Sequence, residues 1–237
     1  MLDCNASRRP SPPAEGVSTI PRIHVPSTGP DDWKSLLADP ATQWKRGHSA
    51  MAAALSWEAA ADGLPPEIAA LFDDEPELLL ALPEHKVALP GGRASQCDVF
   101  ALVRTGGQTL ALAVEAKVHE PFGPSVGDWL RDASTGKLAR MRFLCDLLGL
   151  SDAPPTGLRY QLLHRTAAAA LEAERFKTDR AGMIVQSFCQ NHRWFKDFED
   201  FARLMGAEAA PGAASVVRLP SGRPLMLGWA VGSKDFI

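Results

Sequence analysis

The stretch from Asp98 to Val118 reads DVFALVRTGGQTLALAVEAKV. Two apolar runs, Asp98 to Arg104 and Thr109 to Val118, flank Gly106-Gly107, a pair suited to the positive φ angles of a tight hairpin turn. If these glycines form a two-residue loop, paired residue numbers sum to 213 and Asp98 stands opposite Glu115. A four-residue loop, Thr105 to Gln108, gives the same register.

Directly paired side chains share a face, with Cβ atoms roughly 4.5–5.5 Å apart. Period-two alternation places Lys117 beside Glu115, while Val114, Ala116 and Val118 turn the other way with Val99, Ala101 and Val103. Phe100, Leu102, Ala111 and Ala113 lie on the charged side, so both faces are apolar beyond the charged end. Such a sheet needs helices on both sides. Two converging carboxylates repel unless a proton or cation intervenes, and the simplest partner is a hard divalent cation, Mg²⁺ or Mn²⁺. On that view, removing either acid costs the metal-free protein little. The plainer reading is a solvated strand end where Lys117 pairs with a carboxylate.

Working outward, Leu78 to Leu89 reads as a strand interrupted by Pro83, with a turn at Pro90-Gly91-Gly92. Upstream, a short helix starts at Pro30-Asp31-Asp32, and a second, capped by Ser49, runs to about Ala61. Its Met51, Leu55 and Glu58 share one face, so an acid points where core residues should. Downstream, helical patterns cover about Lys137 to Leu148 and Leu158 to Lys177, with Gly149 closing the first. Met183 to Phe188 reads as a strand, Trp194 to Met205 as an amphipathic helix, and Ser215 to Val231 as a hairpin turning near Ser221-Gly222. Residues 1–19, rich in Pro, Ser and Arg, read as a disordered leader, and 20–237 as a single domain.

Composition bounds the function. The 237 residues, 46% hydrophobic, are ample for a packed core, and the four scattered cysteines give neither a zinc knuckle nor a disulfide framework. No apolar run approaches a membrane span and no signal segment opens the chain, so a cytoplasmic protein without membrane contact is expected. A net charge of −3 gives no global attraction to polyanions, so nucleic-acid binding needs a local basic patch or a metal. Such a patch is on offer: Arg131, Lys137, Arg140 and Arg142 surround one helix start, and Tyr160, Gln161, His164 and Arg165 crowd the next. Other site types fit poorly: Gly136-Lys137 lacks the phosphate-loop context, and H-E-x-x-H does not occur.

The order of an acid on an early helix, Asp98-Val99, Val114-Glu115-Ala116-Lys117 and a later helix with Gln161 resembles the PD-(D/E)XK nuclease superfamily. Cys97 precedes Asp98 where the superfamily name has proline, and the later helix reads Gln161-Leu-Leu-His164-Arg165 instead of Q-x-x-x-Y. The resemblance implies an α/β fold with an αβββαβ restriction-endonuclease-like core over about 49–188, a mixed sheet flanked by helices, and a C-terminal helix and β-hairpin as elaboration. It further implies that Asp98, Glu115 and the Ala116 carbonyl hold Mg²⁺ or Mn²⁺ with Glu58, that Lys117 orients the attacking water, and that Gln161, His164, Arg165, Lys137 and Arg140 contact the substrate. The expected activity is metal-dependent phosphodiester hydrolysis, with nucleic acid, DNA foremost, as partner. A homodimer is compatible with this. The alternatives are an inactive nuclease-fold module binding nucleic acid or protein, and a small-molecule-binding or regulatory α/β domain.

Overall fold

A computed structural model describes residues 29–61, 63–150 and 153–237, so the leader expected at 1–19 lies outside the described residues. The elements run α1 (Pro40–Gln43), α2 (Ser49–Ala59), α3 (Pro66–Ala69), β1 (Glu77–Val87), β2 (Ser95–Thr105), β3 (Gln108–Lys117), α4 (Val126–Leu130), α5 (Thr135–Leu148), α6 (Tyr160–Arg175), β4 (Arg180–Ser187), α7 (Phe195–Leu204), β5 (Ala213–Arg218) and β6 (Pro224–Val231). They build an α/β fold around one six-stranded mixed sheet in the order β1-β2-β3-β4-β6-β5. The β1-β2-β3 and β5-β6 pairings are antiparallel, and β3-β4 and β4-β6 are parallel.

The hairpin register is the expected one. Thr105 pairs with Gln108 and Val99 with Val114, and Gly106 and Gly107 have φ of 55° and 76° in the turn. The parallel return from β3 to β4 needs a long crossover, which α4 to α6 supply. The C-terminal hairpin, expected as an elaboration, instead completes the sheet: β6 lies against β4 along Ala181–Leu225 to Ser187–Val231.

Helices cover both faces. Trp57 of α2 and Ile68 of α3 pack on Val99, Ala101, Val103, Leu110, Leu112 and Val114. The opposite layer buries Phe100, Ala111, Ala181 and Met183 under Leu162, Leu163, Ala167 and Ala170 of α6 and Leu144 of α5. Three to four apolar residues per two turns on α6 give it a wide inner face, and its alanines let it lie close to the sheet.

Pro83 does not interrupt β1. The strand continues through it because β1 is a sheet edge, where a missing amide donor need not break a ladder. A larger irregularity follows. Pro83 pairs with Val99 and His85 with Cys97, so Glu84 stands opposite Asp98. On the near side Ala81, Val99 and Ala101 pack toward α2. Beyond the pair, odd-numbered Val87 and Cys97 pack instead against Ala168 and Ala169 of α6. Both strands therefore exchange faces at Glu84 and Asp98, and Glu84 has a φ of 52°, costly for a residue with a side chain.

Candidate active site

The kink opens a cavity of about 350 Å³ at the C-terminal end of β3. Glu84, Asp98, Glu115, Lys117, Gln161 and Arg165 line it, closed on one side by Glu120 and the start of α2 at His48 to Ala50. Asp98, Glu115, Lys117, Gln161 and Arg165, five residues singled out from the sequence, thus meet in one place. The first three come from adjacent strands and the last two from successive turns of α6.

Glu115 is buried and saturated with donors. Lys117 Nζ donates to its Oε1 at 2.5 Å, Gln161 Nε2 donates to the same oxygen at 2.6 Å, and Arg165 Nε donates to Oε2. Burial pushes this carboxyl upward, but Arg165 and Lys117 outweigh it and hold it at about 2. The idea that removing either acid costs little is therefore corrected for Glu115: two buried cations depend on it.

Asp98 is placed differently. Its Oδ2 accepts from the Ala116 amide at 2.6 Å, so the side chain fills the gap where the β2-β3 ladder ends, and its other oxygen has no hydrogen-bond partner among the described residues. An extended residue's amide and carbonyl share one side, which turns the Ala116 carbonyl toward Asp98 as well. Burial, then the charges of Glu115 and Glu84, push the Asp98 carboxyl well above the usual range. Burial likewise raises Glu84 to about 7, against a hydrogen bond from Gln96 Nε2 at 2.6 Å.

Glu58 is not in this cavity. Its Oε1 accepts from Trp33 Nε1 at 2.7 Å, on the α2 side of the sheet. Ser49 is the end of α2 that reaches the cavity, and nine residues of helix carry Glu58 about 14 Å away. Two acids missed from the sequence stand nearer. Glu84 arrives through the β1-β2 register, which the long Ala88–Ala94 connection conceals. Glu120 Oε1 accepts from the Ser49 amide at 2.7 Å and its Oε2 from the Val118 and His119 amides at 3.0 Å each, so this carboxylate caps α2 in place of any Ser49 or His48 side chain. Burial raises its carboxyl, yet these amides leave it lowered.

His164, Lys137 and Arg140 do not enter the acidic cavity. They line a second one of about 340 Å³, divided from the first by Ser95 and Arg165.

The fit to a divalent cation is that of an open, hydrated site. Among the described residues no three His, Cys, Asp or Glu side chains form a cage. Mg²⁺, however, keeps several waters and takes one or two carboxylates. Asp98 offers a free oxygen, the four lining acids Glu84, Asp98, Glu115 and Glu120 outnumber the two cations Lys117 and Arg165, and the cavity has room for water. These residues suit that ion, and Asp98 would be its first ligand.

An α/β domain with a polar, acid-rich cavity at a strand end is the class that fold and site define. Residues 26–234 match the family described as a domain of unknown function (DUF6946), and the chain belongs to that family. No curated protein and no solved structure matches. Among the described residues no helix is long and apolar enough to cross a membrane.

Proposed function

We propose that this protein is a divalent-metal-dependent nuclease of PD-(D/E)XK type, hydrolysing phosphodiester bonds of nucleic acid. The observation that carries the reading is the convergence of Asp98, Glu115 and Lys117 from adjacent strands with Gln161 from α6, the last of the helices that join β3 to β4.

Asp98, Glu115 and the Ala116 carbonyl would hold Mg²⁺ or Mn²⁺, which supplies Lewis acidity and an acidified water when bound. Lys117 Nζ, within the same cavity, orients the attacking water and balances charge gathering on the phosphate oxygens. Gln161 and Arg165 fix the rotamer of Glu115, so the ligand is held before substrate arrives. Glu58 has no part in this assembly.

One observation favours a second reading, an inactive module of the same fold that binds nucleic acid or protein: both oxygens of Glu115 already serve Arg165, Lys117 and Gln161. Incubation with single- and double-stranded DNA and RNA, with Mg²⁺, Mn²⁺ or chelator, separates the two. Chelator-sensitive cleavage that is lost in Asp98→Asn supports the nuclease; no cleavage and no divalent-cation binding by calorimetry supports the module.

A further inference from the structure

The second cavity differs in charge from the first. Arg93, Lys137, Arg140, Trp129, Tyr160 and His164 line it with the Gly91-Gly92 turn, and no carboxylate is among the lining residues. Arg140 is buried, yet its guanidinium is held only by neutral acceptors. Nε donates to the Pro90 carbonyl at 2.7 Å, Nη2 to the carbonyls of Leu89 and Arg93 at 3.1 and 2.6 Å, and Nη1 to the Tyr160 hydroxyl at 3.4 Å. Lys137 Nζ donates to the Trp129 carbonyl at 2.8 Å and lies 5.4 Å from the Trp129 ring centroid. Three cations therefore converge without a counter-charge among the described residues.

This arrangement costs stability. Lys137 and Arg140 occupy the first two turns of α5, where the helix dipole disfavours positive charge, and a buried cation without a carboxylate is expensive. The turn is nonetheless built to hold them. Gly91 and Gly136 touch backbone to backbone, so that a Cβ at Gly91 would lie 2.0 Å from the Gly136 carbonyl oxygen. Trp129 and Tyr160 stack with ring centroids 3.9 Å apart and wall the pocket.

His164 joins the same wall. Arg165 Nη1 donates to Ser95 Oγ at 3.0 Å and lies 3.5 Å from His164 Nδ1, and Ser95 Oγ lies 2.8 Å from that nitrogen, so an acceptor at Nδ1 suits both neighbours. A ring that accepts at Nδ1 carries its proton on Nε2, which becomes a hydrogen-bond donor. Burial, then Arg165, lowers this imidazole to about 3, so it stays neutral at physiological pH.

We propose that this pocket is a phosphate-binding subsite, in which Arg93, Lys137, Arg140 and His164 Nε2 hold a phosphate of the substrate strand beside the scissile position. Only the assignment of that phosphate to a nucleic-acid substrate rests on the nuclease reading; the anion site stands on its own residues. The wall between the cavities is the Ser95-His164-Arg165 cluster, so an anion here is about one side chain removed from the Glu115 carboxylate that Arg165 holds.

The test uses the full chain in chelator, which removes catalysis from the measurement. Inorganic phosphate binding is read by calorimetry, and binding of a short single-stranded oligonucleotide bearing hydroxyls at both ends by fluorescence anisotropy. Wild type binds phosphate, and Lys137→Glu and Arg93→Glu each weaken it about tenfold or more. Lys196→Glu, at an exposed position of α7 outside this lining, changes it by less than about twofold. Arg140→Lys keeps the charge but not the planar fork, and weakens binding without loss of the folded far-ultraviolet spectrum. Oligonucleotide binding weakened by the same variants assigns the site to backbone phosphodiesters; phosphate binding alone assigns it to a phosphate monoester. The proposal is overturned if wild type binds neither probe, or if Lys137→Glu behaves as Lys196→Glu does. Divalent-cation binding, measured separately, is unchanged in Lys137→Glu, so failure of the subsite and failure of the metal site give different results.

Discussion

Glu84 and Asp98 stand opposite each other in β1 and β2 at the point where both strands exchange the sheet face their side chains occupy. The exchange turns the two carboxyls into the cavity that Glu115 and Lys117 reach from β3. A flat pair of strands would have kept Cys97 under α2.

The raised Glu84 carboxyl gives the metal-free protein an inverted pH dependence. Between the ordinary glutamate value of 4.5 and about 7 the folded state binds more protons than the unfolded state, so stability falls as pH rises through this window. Charges facing Glu84 come from Asp98 across the strand pair, Glu115, Arg165 and Lys86, with Gln96 donating to it. Urea titrations from pH 5 to 7.5 should show a loss of about 1–2 kcal/mol in wild type and a flatter profile in Glu84→Gln. A wild-type profile that rises with pH would contradict the burial of this carboxyl.

Neutralising the two central acids should have unequal consequences. Glu115→Gln leaves Arg165 and Lys117 buried without their partner and should cost about 3–5 kcal/mol. Asp98→Asn relieves repulsion from Glu84 and Glu115 and should change stability by less than about 1 kcal/mol. Equal losses by chemical denaturation would mean the ion pairs are not the supports described.

Glu58 and Lys117 separate an acid of the structure from a group of the chemistry. Under the proposed function, Lys117→Ala should lower cleavage by about 100-fold or more, because the group that positions water is gone. Glu58→Gln should leave the cleavage rate within about twofold and lower stability by about 1 kcal/mol through its Trp33 hydrogen bond. Loss of activity in Glu58→Gln without loss of stability would return this residue to the site.

Two glycines should respond unequally to alanine. Gly107, with a φ of 76° and nothing within 4 Å of where a Cβ would stand, should lose about 1 kcal/mol from backbone strain alone. Gly91, with a φ of 73° and the Gly136 carbonyl in the way, should lose about 2–4 kcal/mol and weaken phosphate binding by displacing the turn that anchors Arg140. Thermal denaturation of both variants measures the difference.

Local chemistry is enough to read the hairpin. A two-residue turn at Gly106-Gly107 sets the register, period-two alternation sorts its apolar faces, and so Val99, Ala101 and Val103 can be set against Leu110, Leu112 and Val114 from the sequence. The meeting of Gln161 and Arg165 with Glu115 follows from α6 crossing back over that sheet, and its residues are legible as candidates because they lie one helix turn apart. Glu58 is misplaced by the same reasoning because helical periodicity gives a face but not which end of α2 approaches the site. Glu84 escapes it because a strand pairing through the Ala88–Ala94 connection has no turn to set its register, and because alternation assumes strands that do not change faces. Short-range periodicity thus suffices for the β2-β3 hairpin, the helix-flanked sheet and the cluster of Asp98, Glu115 and Lys117. The placement of Glu84 beside them instead of Glu58, and the gathering of Lys137, Arg140 and His164 into a separate basic pocket, come from the packed fold alone, since both depend on contacts between chain segments whose spacing no local pattern encodes.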